Sequence, residues 1–158
     1  KDIPFERREK YKIGQLGCLK SHLFIYNDML KNNYENILIL EDDCVIKDDI
    51  NNYKEYIKYS IENKYGLFYF GGTHSKNPTI IKDDFYKCNK THTTHSYMIS
   101  RECVEFIVKN ISGYEKEIDV YLSDIIQQKF NCYCLYPSII GQLDGISDIQ
   151  GGYVQYQI

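Results

Sequence analysis

Glu41, Asp42 and Asp43 are the residues whose types and spacing most plainly invite chemistry. Three consecutive carboxylates repel one another unless a cation or a bound ligand offsets them. Oxygen donors of this kind suit a hard divalent ion, Mg2+ or Mn2+, bridging to a substrate phosphate. Glu41 and Asp43 stand two apart, so on an extended chain both face one ion, with Asp42 between them; where the chain turns past the strand end, Asp42 serves instead. The competing reading is a surface turn whose acids cap the next helix. From the triplet alone, both readings stand.

Four further groups could take part. Cys18 and His22 lie four apart, close enough on a helix to share a metal, but two ligands are too few. A buried histidine bonded to a backbone group fits that pair better. Ser21 beside His22 makes no nucleophile pair, because helix neighbours point apart. His92, Thr93, Thr94 and His95 form a polar cluster entering a strand, where His95 is placed to bond a phosphate or a sugar and His92 reads as a loop histidine. Asp119 stands where a helix cap is expected. Asp148 follows Gln142 and Ser147 in a segment too polar for a core strand, so it lies near a site or in solvent.

The elements that must position these groups follow from periodicity. The apolar run Ile37-Leu38-Ile39-Leu40 reads as a strand buried on both faces, as in a mainly parallel sheet. A charge cluster at the carboxyl end of such a strand lies where open α/β sheets put their ligands. Before it, the spacing predicts a helix over 15–31. Leu16, Leu19, Leu23 and Leu30 form one stripe, Cys18, His22, Ile25 and Met29 the adjacent one, and Asn32-Asn33 the stop. Asp48 or Asp49 caps a second helix reaching about residue 63, with Ile50, Tyr53, Ile57 and Ile61 inward. Strands are expected at 67–70, 95–99 and 132–136, the first stopped by Gly71-Gly72 and the last by Pro137. A polar loop around Pro78 separates the first two. Ser100 caps a helix carrying Val104, Ile107, Val108 and Ile111, and Asp119 caps one over 120–130. Helices alternating with short apolar strands predict one layered α/β domain over 1–158. Residues 1–13 are expected as an extension and 150–158 as an irregular tail.

Composition narrows the function. A formal net charge of −3 leaves no basic footprint for nucleic acid. No apolar stretch is long enough to cross a bilayer. The six cysteines show no C-x-x-C pair, so buried free thiols are expected rather than zinc. The 16 tyrosines suit a sugar site, although a residue bias shared with Ile, Lys and Asn explains them better.

Gly17-Cys18-Leu19-Lys20-Ser21-His22 followed by Ile37-Leu38-Ile39-Leu40-Glu41-Asp42-Asp43 resembles glycosyltransferase family 25, the lipooligosaccharide glycosyltransferases and collagen β-galactosyltransferases. Later stretches agree in order. Thr94-His95-Ser96-Tyr97-Met98-Ile99-Ser100 looks like the family's T-x-x-Y-x-I-S element, and Asp119, Leu135-Tyr136-Pro137, Gln142 and Ser147-Asp148-Ile149 like its closing D, P, Q and S-D-I elements. The resemblance implies a GT-A-like, Rossmann-like mixed sheet flanked by helices. The family's usual N-terminal strand-helix unit is expected to be lacking from this sequence, because 5–10 does not supply a strand.

It also implies an inverting transfer of a hexose, galactose or glucose, from a UDP-sugar to a hydroxyl acceptor on a glycan or protein, with Mn2+ or Mg2+ as cofactor. Glu41 and Asp43 would hold the metal. Ser21, His22, Asp42, His95, Gln142 and Ser147 would line the donor site, and Asp119 or Asp148 would be the catalytic base. The alternative is a catalytically silent module of the same fold that binds a glycan or a partner domain. An upstream domain or a second copy of the chain remains an open partner.

Overall fold

The structure, a computed structural model, describes residues 5–114, 117–147 and 152–155. Helix α1 (Phe5–Lys31) leads into strands β1 (Asn36–Leu40) and β2 (Cys44–Ile46). A 3-10 turn (Ile50–Tyr53) opens α2 (Lys54–Glu62), and β3 (Tyr65–Tyr69) follows. Four short strands come next: β4 (Thr73–His74), β5 (Thr79–Lys82), β6 (Phe85–Lys87) and β7 (Thr91–His92). Strand β8 (Ser96–Ser100) enters α3 (Arg101–Asn110). A helical stretch is built from α4 (Ile118–Tyr121), a π-helical turn (Leu122–Ile126) and α5 (Gln127–Lys129). Strands β9 (Asn131–Leu135), β10 (Ile140–Gln142), β11 (Gly145–Ser147) and β12 (Gly152–Val154) complete the order.

The main sheet is mixed, in the order β1-β8-β3-β9-β6-β5. Only β3 and β9 run parallel; the other neighbours are antiparallel. The expectation of a doubly buried, mainly parallel strand at 37–40 is therefore corrected. β1 is an edge strand, and Leu38 and Leu40 are exposed while Ile39 is buried. The strand buried throughout is β3. A register irregularity between Tyr65 and Leu67 shifts its alternation, so Leu67 and Tyr69 join one core and Tyr65 and Phe68 the other.

Those two cores lie on opposite faces of the sheet. One gathers α1 and α3 residues (Leu19, Tyr26, Met29, Val104, Ile107) with Tyr97 and Ile99 of β8. The other sets Phe68, Phe85 and Tyr133 against Tyr53, Tyr56 and Ile57. Offset and edge-on ring contacts such as Tyr56 on Phe85 at 5.0 Å use many of the tyrosines as core residues. Among the described residues, no helix is long and apolar enough to cross a membrane.

Several local expectations change. α1 starts at Phe5, inside the stretch expected as an extension. Its buried positions Gln15, Leu19, His22, Tyr26 and Met29 run between the two expected stripes, leaving Leu16 45% exposed. This spacing of four and three is one helical face. The hairpin of β5 and β6 occupies the stretch expected as a loop, and Ile61 is exposed rather than inward. Gly152–Val154 pairs with Gly145–Ser147 in the expected irregular tail. Capping by Asp49, whose side chain accepts from the Asn51 amide at 2.9 Å, and by Ser100, which accepts from Cys103, agrees with the sequence.

Candidate functional site

Five segments meet beyond the carboxyl end of β1. The backbone amide of Glu41 donates to the His95 carbonyl at 2.9 Å, holding the acidic turn against the entry to β8. α1 crosses beside it and supplies Cys18 and His22. Gln15 Nε2 donates to Glu117, which fastens α1 to the start of α4 and so brings Asp119 near. Opposite, β10 pairs with β2, placing Gln142 across from Cys44.

Glu41 accepts from the Thr94 hydroxyl at 2.7 Å and lies 3.4 Å from His22 Nε2. Burial works to raise its pKa, but the bonds from His22 and Thr94 and the positive potential of His22 and His95 outweigh it, so the carboxyl is held below its usual value. His22 is buried, and its Nδ1 meets Tyr97 Oη at 2.7 Å; that hydroxyl meets Tyr26 Oη at 2.6 Å. Burial and the charge of Glu41 push the Cys18 thiol up to about 11. A thiol so raised is a poor nucleophile.

Asp43 is held from the β10 side. Its Oδ2 accepts from Gln142 Nε2 at 3.1 Å and its backbone carbonyl from the Leu143 amide at 2.8 Å, while Oδ1 is buried without a partner. Asp42 is exposed between them. His95 is buried and donates from Nε2 to the Ile140 carbonyl at 3.1 Å, leaving Nδ1 without a partner. Desolvation lowers its pKa despite the opposing carbonyl and the charges of Glu41 and Asp43, which favours the neutral ring. With Nε2 as the donor, Nδ1 is a pure acceptor. In that state it suits a hydroxyl group.

Asp119 is no helix cap. Glu117 occupies the N-cap position without a side-chain cap bond, and Asp119 Oδ2 accepts instead from the Thr93 amide at 3.4 Å. Thr93 itself has φ of 73°, a backbone state that a β-branched residue adopts only under constraint.

Ser21 stays apart: it is exposed, and its hydroxyl donates to the Gly17 carbonyl one turn back. Ser147 is placed by its backbone alone, and Asp148 lies outside the described residues. The structure thus brings His22, Glu41, Asp42, Asp43, His95, Asp119 and Gln142 around one turn. Sequence reasoning missed Thr94 as the partner of Glu41, and Tyr97 and Tyr26 as the support of His22. Tyr26 had a readable sign, since it lies four residues after His22 on one helical face.

A mixed α/β sheet with this acidic turn defines the class, and the comparison with family models settles the lineage. The model described as glycosyltransferase family 25 (LPS biosynthesis protein) matches residues 5–122, so the chain belongs to that family. Membership supports glycosyl transfer as the general activity, with a nucleotide-sugar donor and an acceptor. Among solved structures, the crystal structure of A197 from STIV is similar, with a TM-score of 0.55 and 16% identity over 87% of this chain and 74% of that one. At that identity the likeness concerns the fold. A comparison with curated proteins finds no match.

Proposed function

We propose that the chain is a GT-A-like, metal-dependent, inverting glycosyltransferase that moves galactose or glucose from a UDP-sugar to a hydroxyl of a glycan or protein. The observation that carries this reading is the convergence, at the end of β1, of His22, Glu41, Asp42, Asp43, His95, Asp119 and Gln142, seven of the residues the family resemblance singled out. A cation fits there, because Asp43 Oδ1 is buried with no proton donor, and hard ions take such oxygens together with substrate phosphates. When bound to Glu41 and Asp43, Mn2+ or Mg2+ would neutralise the charge growing on the departing diphosphate.

The chain's own residues do the rest. Gln142 fixes the Asp43 carboxylate, and exposed Asp42 borders the donor. His95, neutral with its Nδ1 lone pair open, accepts from a donor hydroxyl. His22 and Thr94 keep Glu41 ionised and oriented. Asp119 is the base: it takes the proton of the acceptor hydroxyl as that oxygen bonds to the anomeric carbon and the bond to the diphosphate breaks. One displacement on the opposite face inverts the configuration.

Calorimetry with UDP tests the reading. UDP binds in the presence of Mn2+ and not in chelator, Asp43→Asn abolishes that dependence, and Asp119→Asn leaves it intact. Equal binding of UDP with and without Mn2+ contradicts it.

A further inference from the structure

Cys18 Sγ, a ring nitrogen of His22 and a carboxylate oxygen of Glu41 all lie within 4.8 Å of one another. Among the described residues this is the only such meeting of three His, Cys, Asp or Glu side chains. We propose that Cys18, His22 and Glu41 form a three-ligand site for Zn2+, which shares the Glu41 carboxylate with the hard-cation position at the acidic turn but differs from it in its sulfur and nitrogen donors, with a fourth coordination place open to solvent.

Three observations support it. The His22 Nε2 to Glu41 Oε1 distance is 3.4 Å. A ring N–H···O bond prefers about 2.9–3.0 Å. Two ligands at about 2.0–2.1 Å from a tetrahedral zinc are instead separated by about 3.3–3.4 Å. The pair therefore stands at a ligand spacing, wider than its own hydrogen bond favours.

The supports of the two inner ligands are also those of a metal site. Tyr97 Oη at 2.7 Å from His22 Nδ1 can take the Nδ1 proton, leaving the Nε2 lone pair for the ion. The Thr94 hydroxyl orients the carboxylate at 2.7 Å. Finally, the donor set selects the ion. A sulfur, an imidazole nitrogen and one carboxylate suit zinc, whereas Mg2+ and Mn2+ favour all-oxygen sets.

Charge and protons balance. Binding releases the Cys18 thiol proton to solvent, so a thiolate and a carboxylate neutralise the dication in a half-buried setting. Cys18 is half-buried and the Glu41 side chain 29% exposed, so a water has access to the fourth position.

The inference rests on the geometry of these three side chains and holds whether or not the chain transfers sugar. Cobalt as a spectroscopic stand-in for zinc tests it on the full chain. Co2+ should produce a thiolate-to-cobalt charge-transfer absorption that one equivalent of Zn2+ abolishes. Cys18→Ser should lack the band, while Cys44→Ser and Asp43→Asn keep it. Tyr97→Phe should keep it with affinity weakened about tenfold, the usual effect of losing a ligand's support.

A second readout needs no variant: Zn2+ should slow alkylation of Cys18, mapped by mass spectrometry, in the unmodified protein. Absence of the band, its persistence in Cys18→Ser, or alkylation of Cys18 unaffected by Zn2+ overturns the proposal. Loss of the band in Asp43→Asn but not in Cys18→Ser would place the ion at the acidic turn and overturn it equally.

Discussion

Glu41 and His95 both make the molecule sensitive to acid, for opposite chemical reasons. Glu41 titrates below its ordinary 4.5, so it contributes stability above that value which is lost as pH falls through its folded pKa. His95 also titrates below its ordinary 6.5, because burial disfavours its cation. Its contribution is complete above 6.5 and is lost as pH falls through its folded pKa. The melting temperature should therefore fall in two stages on acidification. His95→Gln should flatten the upper stage and Glu41→Gln the lower, in melting curves taken across pH. Superimposable curves for all three proteins contradict this assignment. The importance of Glu41 was readable in the sequence, since three adjacent acids after an apolar run are uncommon without a partner. Its actual partners were not, because Thr94 and His22 reach it only through tertiary placement.

Elements place these side chains through close approach more than through propensity. At Gly71 an added Cβ would stand 2.0 Å from the Ile140 carbonyl oxygen and 2.3 Å from His95 Nε2. The oxygen is backbone and cannot turn away, so β10 and His95 would have to shift. Gly71→Ala should cost more than about 1–3 kcal/mol, the usual range for overpacking, measured by urea unfolding. Gly17→Ala is the matched control: nothing lies within 4 Å of its added Cβ in the middle of α1. It should stabilise by roughly 0.5–1 kcal/mol, the helix preference of Ala over Gly. Equal effects at the two glycines would refute the close-approach argument. In the sequence Gly71-Gly72 marked only the end of a strand.

The helix starts capped by Asp49 and Ser100 were readable, because a capping side chain acts within three residues, whereas α1 begins at Phe5, ten residues before the expected start. The strand environment of 37–40 was misread because an apolar run carries no record of which strand lies beside it. β1 keeps its apolar residues at an edge, and the fully buried strand proved to be β3. Asp119 shows the same limit in reverse, for a residue expected as a cap faces the Thr93 amide.

For the whole molecule, the mixed sheet sets β1 and β8 side by side so that the acidic turn meets the start of β8, while α1 and α4 close one flank and β10 the other. Family membership and this convergence point to sugar transfer, and turnover tests it most directly. A panel of UDP-hexoses with Mn2+ should show release of UDP, faster with acceptor than without. Chelation and Asp43→Ala should abolish it, and Asp119→Asn should slow it about 10²–10⁴-fold, the range for losing a positioned base. Release of UDP that persists undiminished in Asp43→Ala and Asp119→Asn, or its absence with every UDP-hexose tried, would contradict the account.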